Sequence, residues 1–234
     1  MSTRLLLAAA CIFFVSWTAP ATVAQAVVDG PVGPSPYDIV RGWHKPFAAP
    51  GFAFGGNSGV FAESPDRIFI AQRGEFRLPD PLPEGYLGFA GSIKMNVLNV
   101  TDRRVWQNCL YTLDKDGRVK ENWKQWDHLC EGSPGPGPHR LRISPYDPER
   151  RVWLVNETFH QIYVFSNDGK KLLKTLGEKN VPGADATHFA KPQDVAFLPD
   201  GRTIRWLRLH GAVRVYRRVS GKLQRAAVGS KPRW

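Results

Sequence analysis

The sequence predicts an all-β fold of propeller type with about three blades, and three observations carry that expectation. Turn glycines recur at Gly117, Gly169 and Gly221, each 52 residues after the last, in "LYTLDKDGRV", "IYVFSNDGKK" and "RVYRRVSGKL". Upstream of each lies a second matching piece: "SGVFAESPDRIFIAQ" (58–72), "HRLRISPYDPERRVWLVN" (139–156) and "QDVAFLPDGRTIRWL" (193–207). Each pair of pieces reads as four short apolar-alternating runs joined by turns, and repetition of a four-stranded unit at this period belongs to propellers.

Taken in order, the elements support that reading. Asp116-Gly117 and Asp168-Gly169 are hairpin signals, because glycine supplies the positive φ of tight primed turns. Val152 to Val155 and Ile162 to Phe165 are rich in β-branched and aromatic residues, which suit a pleated, half-buried surface. Segment 73–102 interrupts the first unit, and its Pro and Gly density marks an insertion loop on one face. Blades are expected over 51–229, after an extension at 27–50, with no helix of consequence. Trp106, Trp123, Trp126 and Trp153 are expected to fill the spaces between blades. Closed propellers need at least four blades, so three imply further blades elsewhere or association of two copies.

The amino terminus has an apolar run from Leu5 to Trp17 and then Ala24-Gln25-Ala26, which reads as a signal peptide at 1–26 cleaved near Ala26. That run is short for a membrane span, so a secreted or periplasmic protein is expected. Loss of Cys11 with the leader leaves Cys109 and Cys130, an even pair that suggests a disulfide in an oxidising compartment. Its loop of about 20 residues would stabilise the fold by roughly 3 kcal/mol. Two buried free thiols are the alternative.

The net charge of +11 is unevenly placed. Residues 27–200 hold 21 Lys/Arg and 21 Asp/Glu, whereas 201–234 hold ten basic residues and no acid. The neutral body argues against a nucleic-acid partner, although a basic tail can attract anionic polymers. The tail is expected to lose a strand and turn of the repeat, as if a longer, six-bladed ancestor were altered near residue 202. No GxGxxG, P-loop, HExxH or GxSxG is present.

"FAKPQDVAFLPDG" (189–201) and "RVWLVNETFHQIYVFSNDGKKLLKTLG" (151–177) resemble the NHL repeat of six-bladed propellers. "GPHRLRIS", "FHQIYVF" and "LGEKNVPGADATHFAKPQDVAF" further resemble the catalytic core of the peptidyl-α-hydroxyglycine α-amidating lyases, over roughly residues 55–200 except the 73–102 insertion. That resemblance implies zinc and calcium, and cleavage of peptidyl-α-hydroxyglycine to peptide amide and glyoxylate. It makes His139 a zinc ligand, the carbonyls of Val60 and Leu141 calcium ligands, and Arg73 an arginine beside the substrate, where it can hold a carboxylate. The slots equivalent to His139 hold Ser58 and Gln193. His160 and His188 match as structural loop residues.

The departures are as informative. The family's catalytic tyrosine has no counterpart after "TIRWLRLHGAV" (203–213), and two of its three zinc histidines are missing. One histidine does not make a catalytic zinc site, so the chain as written is expected to be inactive as a lyase. A non-catalytic propeller binding a peptide or protein through the 73–102 loop is the other reading. "NVT" at Asn99 and "NET" at Asn156 are glycosylation sequons.

Overall fold

A computed structural model of the chain describes residues 40–86, 90–95 and 104–199, apart from Arg41, Pro46, Ala184 and Ala186, and the backbone of three strands between 203 and 225. The expected leader, most of the extension before Val40, Asn99 and the end of the tail lie outside the described residues. The chain divides at Arg41/Gly42, and the second unit contains everything below.

The expected blades are present as three four-stranded antiparallel sheets. After β1 (Phe52–Phe54), the first blade is built from β2 (Asn57–Ser64) and β3 (Arg67–Gln72). The insertion then contributes β4 (Glu75–Arg77), and β5 (Arg104–Val105) follows just past it, before β6 (Leu110–Leu113) and β7 (Val119–Asn122) complete that blade. The second blade runs β8 (Pro138–Ile143), β9 (Val152–Asn156), β10 (Gln161–Phe165) and β11 (Leu172–Leu176). The third runs β12 (Pro192–Phe197), β13 (Thr203–Leu207), β14 (Val213–Val219) and β15 (Lys222–Arg225). Within each, neighbours in sequence are neighbours in the sheet. The innermost strands β2, β8 and β12 lie side by side in that order, the arrangement of successive propeller blades. None of the described helices is long and apolar enough to cross a membrane.

Close approach of the inner strands has a specific cause. A Cβ on Gly59 would stand 2.8 Å from the Leu141 backbone nitrogen, so only glycine lets β2 lie so close to β8. Between the first two blades sits the largest apolar cluster, with Phe69, Leu110 and Trp123 facing Leu141, Ile143, Leu154, Tyr163 and Phe165. Trp123 meets Phe165 edge-on at 5.9 Å between ring centroids. Between blades two and three, Val155, Ile162 and Val195 are buried, and Trp153 meets Phe197 edge-on at 5.3 Å. Three of the four tryptophans therefore fill the inter-blade spaces as expected. Trp106 does not: it packs against Gly137 and under Arg104.

Three expectations are corrected. The Asp-Gly hairpins are wider than two-residue primed turns. In the loops at Asp114–Arg118 and Ser166–Lys171, the glycine N–H donates to the carbonyl three residues back, at 3.0 Å for Gly117 and 2.9 Å for Gly169. Segment 73–102 is more than a loop, since β4 pairs with both β1 and β5 in a separate three-stranded sheet. The tail keeps its strands. Its "VRVYRRV" retains enough alternation for the backbone of β14 to pair with β13 and β15.

The expected disulfide pair lies side by side in the fold. Cys109 and Cys130 are unbridged thiols, 2% and 1% exposed, close enough to hydrogen-bond to each other. That bond and burial push the Cys109 thiol well up. Asp127 fixes the pair by accepting the N–H groups of Asn108 at 2.9 Å and Cys109 at 2.8 Å.

Candidate functional site

"GPGPHRLRIS" (135–144) organises the site. Its proline and glycine content breaks the chain ahead of β8, and Gly137 adopts a positive φ of 74°. Gly137 N–H donates to the Thr158 hydroxyl at 2.9 Å, and its carbonyl accepts the Glu157 N–H at 3.2 Å. The loop is thereby tied to the end of β9, and His139 is delivered at the mouth of the inner strand.

His139 Nδ1 lies 2.8 Å from the Gln193 backbone carbonyl. A carbonyl only accepts, so Nδ1 carries the proton and Nε2 is left with the lone pair. Metal-binding histidines are commonly oriented in this way. Gln193, the equivalent slot on β12, turns its side-chain amide to the Glu157 carboxylate. Ser58, the slot on β2, donates to the Pro138 carbonyl at 2.8 Å. The three slots thus meet at one end of the inner strands, with three different chemistries.

Arg73 lies just beyond β3 and is 9% exposed. Its Nη1 stands 3.8 Å from Glu157 Oε1 and finds no hydrogen-bond acceptor among the described residues. Burial holds its pKa below the ordinary arginine value, against the opposing pull of Glu157. Val60 is half exposed on β2 and Leu141 is fully buried on β8, so the two residues expected to offer carbonyls to calcium sit on neighbouring inner strands.

The described residues do not complete a metal centre. No group of three His, Cys, Asp or Glu side chains converges among them. His139 is one fitting zinc ligand with no partner group among the described residues, and His44, His160 and His188 are engaged elsewhere. His160 Nδ1 accepts the Lys191 N–H at 2.9 Å. His188 is held by Asp185 at 2.8 Å. His44 stacks on Phe54 and closes a ring with Asn57 and Tyr111.

Sequence reading missed Glu157 and Arg104. Glu157 is 5% exposed and touches both Arg73 and Gln193, yet in sequence it is only the middle of a sequon. The sequon itself is closed in this fold: Asn156 is fully buried, and its side-chain oxygen accepts the Phe159 N–H at 3.2 Å. Arg104 opens β5 just past the insertion, where no motif marks it.

No protein-family profile matches the chain. Among curated proteins, the chain is 39% identical over 64 residues to a probable peptidyl-α-hydroxyglycine α-amidating lyase of Caenorhabditis elegans, covering 27% of this chain and 17% of that protein. Two Drosophila melanogaster enzymes of the same name, lyases 2 and 1, match at 29% identity over 96 residues and 36% over 89. Those matches cover 41% and 36% of this chain, and 21% and 14% of the relatives. The chain thus spans about a fifth or less of the curated relatives it matches, and the resemblance read from its motifs is found again. Among solved structures, the virginiamycin B lyase of Staphylococcus aureus aligns with 76% of this chain and 43% of its own, at 15% identity and a TM-score of 0.41. A streptogramin B lyase aligns with 76% and 42%, at 13% identity and a TM-score of 0.42.

Proposed function

We propose that this chain is an exported, lyase-like propeller segment that keeps the ligand-holding corner of a peptidyl-α-hydroxyglycine α-amidating site without its catalytic apparatus. The observation that carries the reading is His139, with Nδ1 committed to the Gln193 carbonyl and Nε2 presented as a ligand, at the mouth of the strand beside a buried Arg73. In such a site a guanidinium orients and neutralises the carboxylate of a hydroxyglycine, and Glu157 with Gln193 fixes the neighbouring wall. Zinc held by His139 would polarise a substrate oxygen, but one protein ligand falls short of the three that a catalytic zinc takes.

The test is direct. Incubation of the purified chain with an N-acyl-α-hydroxyglycine and added zinc is expected to release no glyoxylate above the uncatalysed rate. Zinc is expected to bind weakly, and His139→Ala to lower that affinity by about tenfold or more, as loss of one imidazole ligand does. Glyoxylate release by this chain, or zinc binding untouched by His139→Ala, would overturn the reading. The non-catalytic alternative is favoured by the lack of a tyrosine in segment 208–212, which follows β13, and it predicts peptide binding with no dependence on zinc.

Export carries a second expectation. In an oxidising compartment the adjacent Cys109 and Cys130 thiols close a disulfide with loss of two hydrogens to the compartment's thiol oxidants. Maleimide labelling of the denatured, exported protein is expected to find no free thiol. Labelling of both cysteines would show that they remain the free pair seen in the fold.

A further inference from the structure

The first blade is covered on both of its faces. Strand alternation puts Phe69 and Leu110 on the side packed against the second blade, and Ile70, Tyr111 and Leu113 on the other. That other side is covered by a strap ahead of β1, through Trp43 and Phe47. Two hydrogen bonds dock the strap on the β6–β7 turn. Lys45 N–H donates to the Gly117 carbonyl at 2.8 Å, and Trp43 Nε1 donates to the Lys115 carbonyl at 2.9 Å. A Cβ on Gly117 would overlap the Trp43 carbonyl oxygen, so the turn glycine also makes room for the strap.

His44, between Trp43 and Lys45, ties the strap to the start of β2 and stacks on Phe54 at 5.1 Å between ring centroids. Its hydrogen bonds fix its charge. Tyr111 donates its one proton to Asn57 Oδ1 at 3.1 Å, so its oxygen, 3.4 Å from His44 Nε2, can only accept there. Asn57 Nδ2 can only donate, and it stands 3.3 Å from His44 Nδ1. Nε2 therefore carries the proton and Nδ1 the lone pair, an arrangement that only the neutral imidazole satisfies. A proton added at Nδ1 would face the Asn57 N–H. Turning that amide over moves the conflict to Tyr111, which is fully buried and whose pKa burial pushes far up, so its proton stays.

The charged groups on the elements around His44 are occupied with one another. Lys45 donates to the Gly42 carbonyl, Asp116 pairs with Lys115 and Arg118, and Asp114 accepts the N–H groups of Asp116 and Arg118. Glu75, opposite Phe54 in the sheet, accepts from Gln107 and Asn108, and Arg73 faces Glu157. No carboxylate among these is placed to hold an imidazolium, and burial keeps the His44 pKa below the ordinary 6.5. We propose that the strap is a proton-released cover: neutral His44 holds it closed over the first blade, and protonation of His44 opens it and bares Ile70, Tyr111 and Leu113. A histidine depressed in the folded state adds stability that is full above its unfolded pKa and is lost as pH falls through the folded one. Opening therefore begins below about pH 6.5.

Hydrogen exchange at the Lys45 amide of the full chain, corrected for intrinsic rates and followed from about pH 8 to about pH 5, tests it. Protection is expected to hold level above about pH 6.5 and to fall severalfold below it, by up to about tenfold per pH unit, while amides of β9 and β10 keep theirs. His44→Gln offers a donor and an acceptor without a titrating group, and its protection is expected to stay level throughout. Should glutamine leave the strap undocked at the alkaline end, His44→Phe keeps the stack on Phe54 and is expected to give the same level profile. A level profile in the parent overturns the proposal, as does an equal fall in a docked variant or a fall shared by β9 and β10. If neither variant docks, the His44 ring-proton resonance of the parent must titrate at the midpoint of the protection profile, and a separate midpoint overturns the proposal as well.

Discussion

Arg67→Ala is expected to destabilise the chain by about 2–4 kcal/mol, the upper part of the range for breaking a partly buried ion network. All five guanidinium N–H groups of Arg67 are used. Nε and Nη2 hold Glu121 as a bidentate pair at 2.9 and 3.0 Å, and Nη1 reaches Glu63 at 2.7 Å. The remaining two go to the side-chain and backbone oxygens of Asn167 at 2.5 and 2.7 Å. Glu63 and Glu121 belong to the first blade and Asn167 to the second, so this one side chain bolts the two together. Removing it takes the guanidinium from two carboxylates whose side chains are 16% and 32% exposed, and the partners left to them, Arg150 and Asn167 at Glu63 and Trp123 at Glu121, keep the cost below that of a fully buried pair. Arg67→Lys retains the charge but serves one acceptor cluster at a time, so about half the loss is expected.

The same network predicts an acid limb. Burial pushes the carboxyls of Glu63 and Glu121 up, but their hydrogen bonds, to Arg67 in both cases and also to Asn167 and Arg150 at Glu63, outweigh it and hold both below the ordinary 4.5. A carboxylate depressed in the folded state contributes stability that is fully present above its unfolded pKa and is lost as pH falls through the folded one. Urea unfolding midpoints should therefore drop below about pH 4.5 in the parent and fall less steeply in Arg67→Ala. An equal slope in both would remove Arg67 as the cause.

What the sequence made legible was whatever the backbone itself demands. Gly117 and Gly169 stand out because their φ values of 76° and 71° exclude most other residues, and two copies of one such demand make a visible repeat. Strand character in β9 and β10 was legible because both are buried along nearly their whole length and need β-branched and aromatic residues. The three-stranded sheet escaped, since β4 and β5 have three and two residues and show no period. Arg104 escaped with it. Glu157 could not be found because its meaning lies in contacts to Arg73, 84 positions upstream, and Gln193, 36 downstream. His44 is similar: its hydrogen-bond partner Tyr111 is 67 residues away. The metal proposal is half legible for the same reason, because a motif can place His139 on a strand but only the fold shows which of its nitrogens is free.

Gly169→Ala is the second substitution with a large expected cost, about 2–5 kcal/mol, and it explains why the repeat is written in glycine. An alanine there pays twice: roughly 1–2 kcal/mol for a left-handed backbone, and about 1–3 kcal/mol for overpacking. Its Cβ would stand 2.2 Å from Trp123 Cε2, inside the cluster that joins the first two blades. The turn cannot simply back away. Trp126 Nε1 and Gln125 Nε2 both donate to the Gly169 carbonyl, at 2.7 and 3.0 Å, and clamp it beneath the short 3-10 segment Lys124–Leu129. Gly132 supplies the control, with a similar φ of 70° and nothing within 4 Å of an added Cβ. Gly132→Ala should therefore cost the backbone part alone. The difference between the two variants in chemical denaturation measures the inter-blade contact, free of the conformational penalty they share. If both lose the same amount, Trp123 moves aside freely and the blades are joined more loosely than their ring contacts indicate. If Gly169→Ala alone loses the larger sum, the turn glycine is a packing requirement between neighbouring blades as well as a hairpin device. The fixed interval in the sequence is then the spacing of the blades themselves.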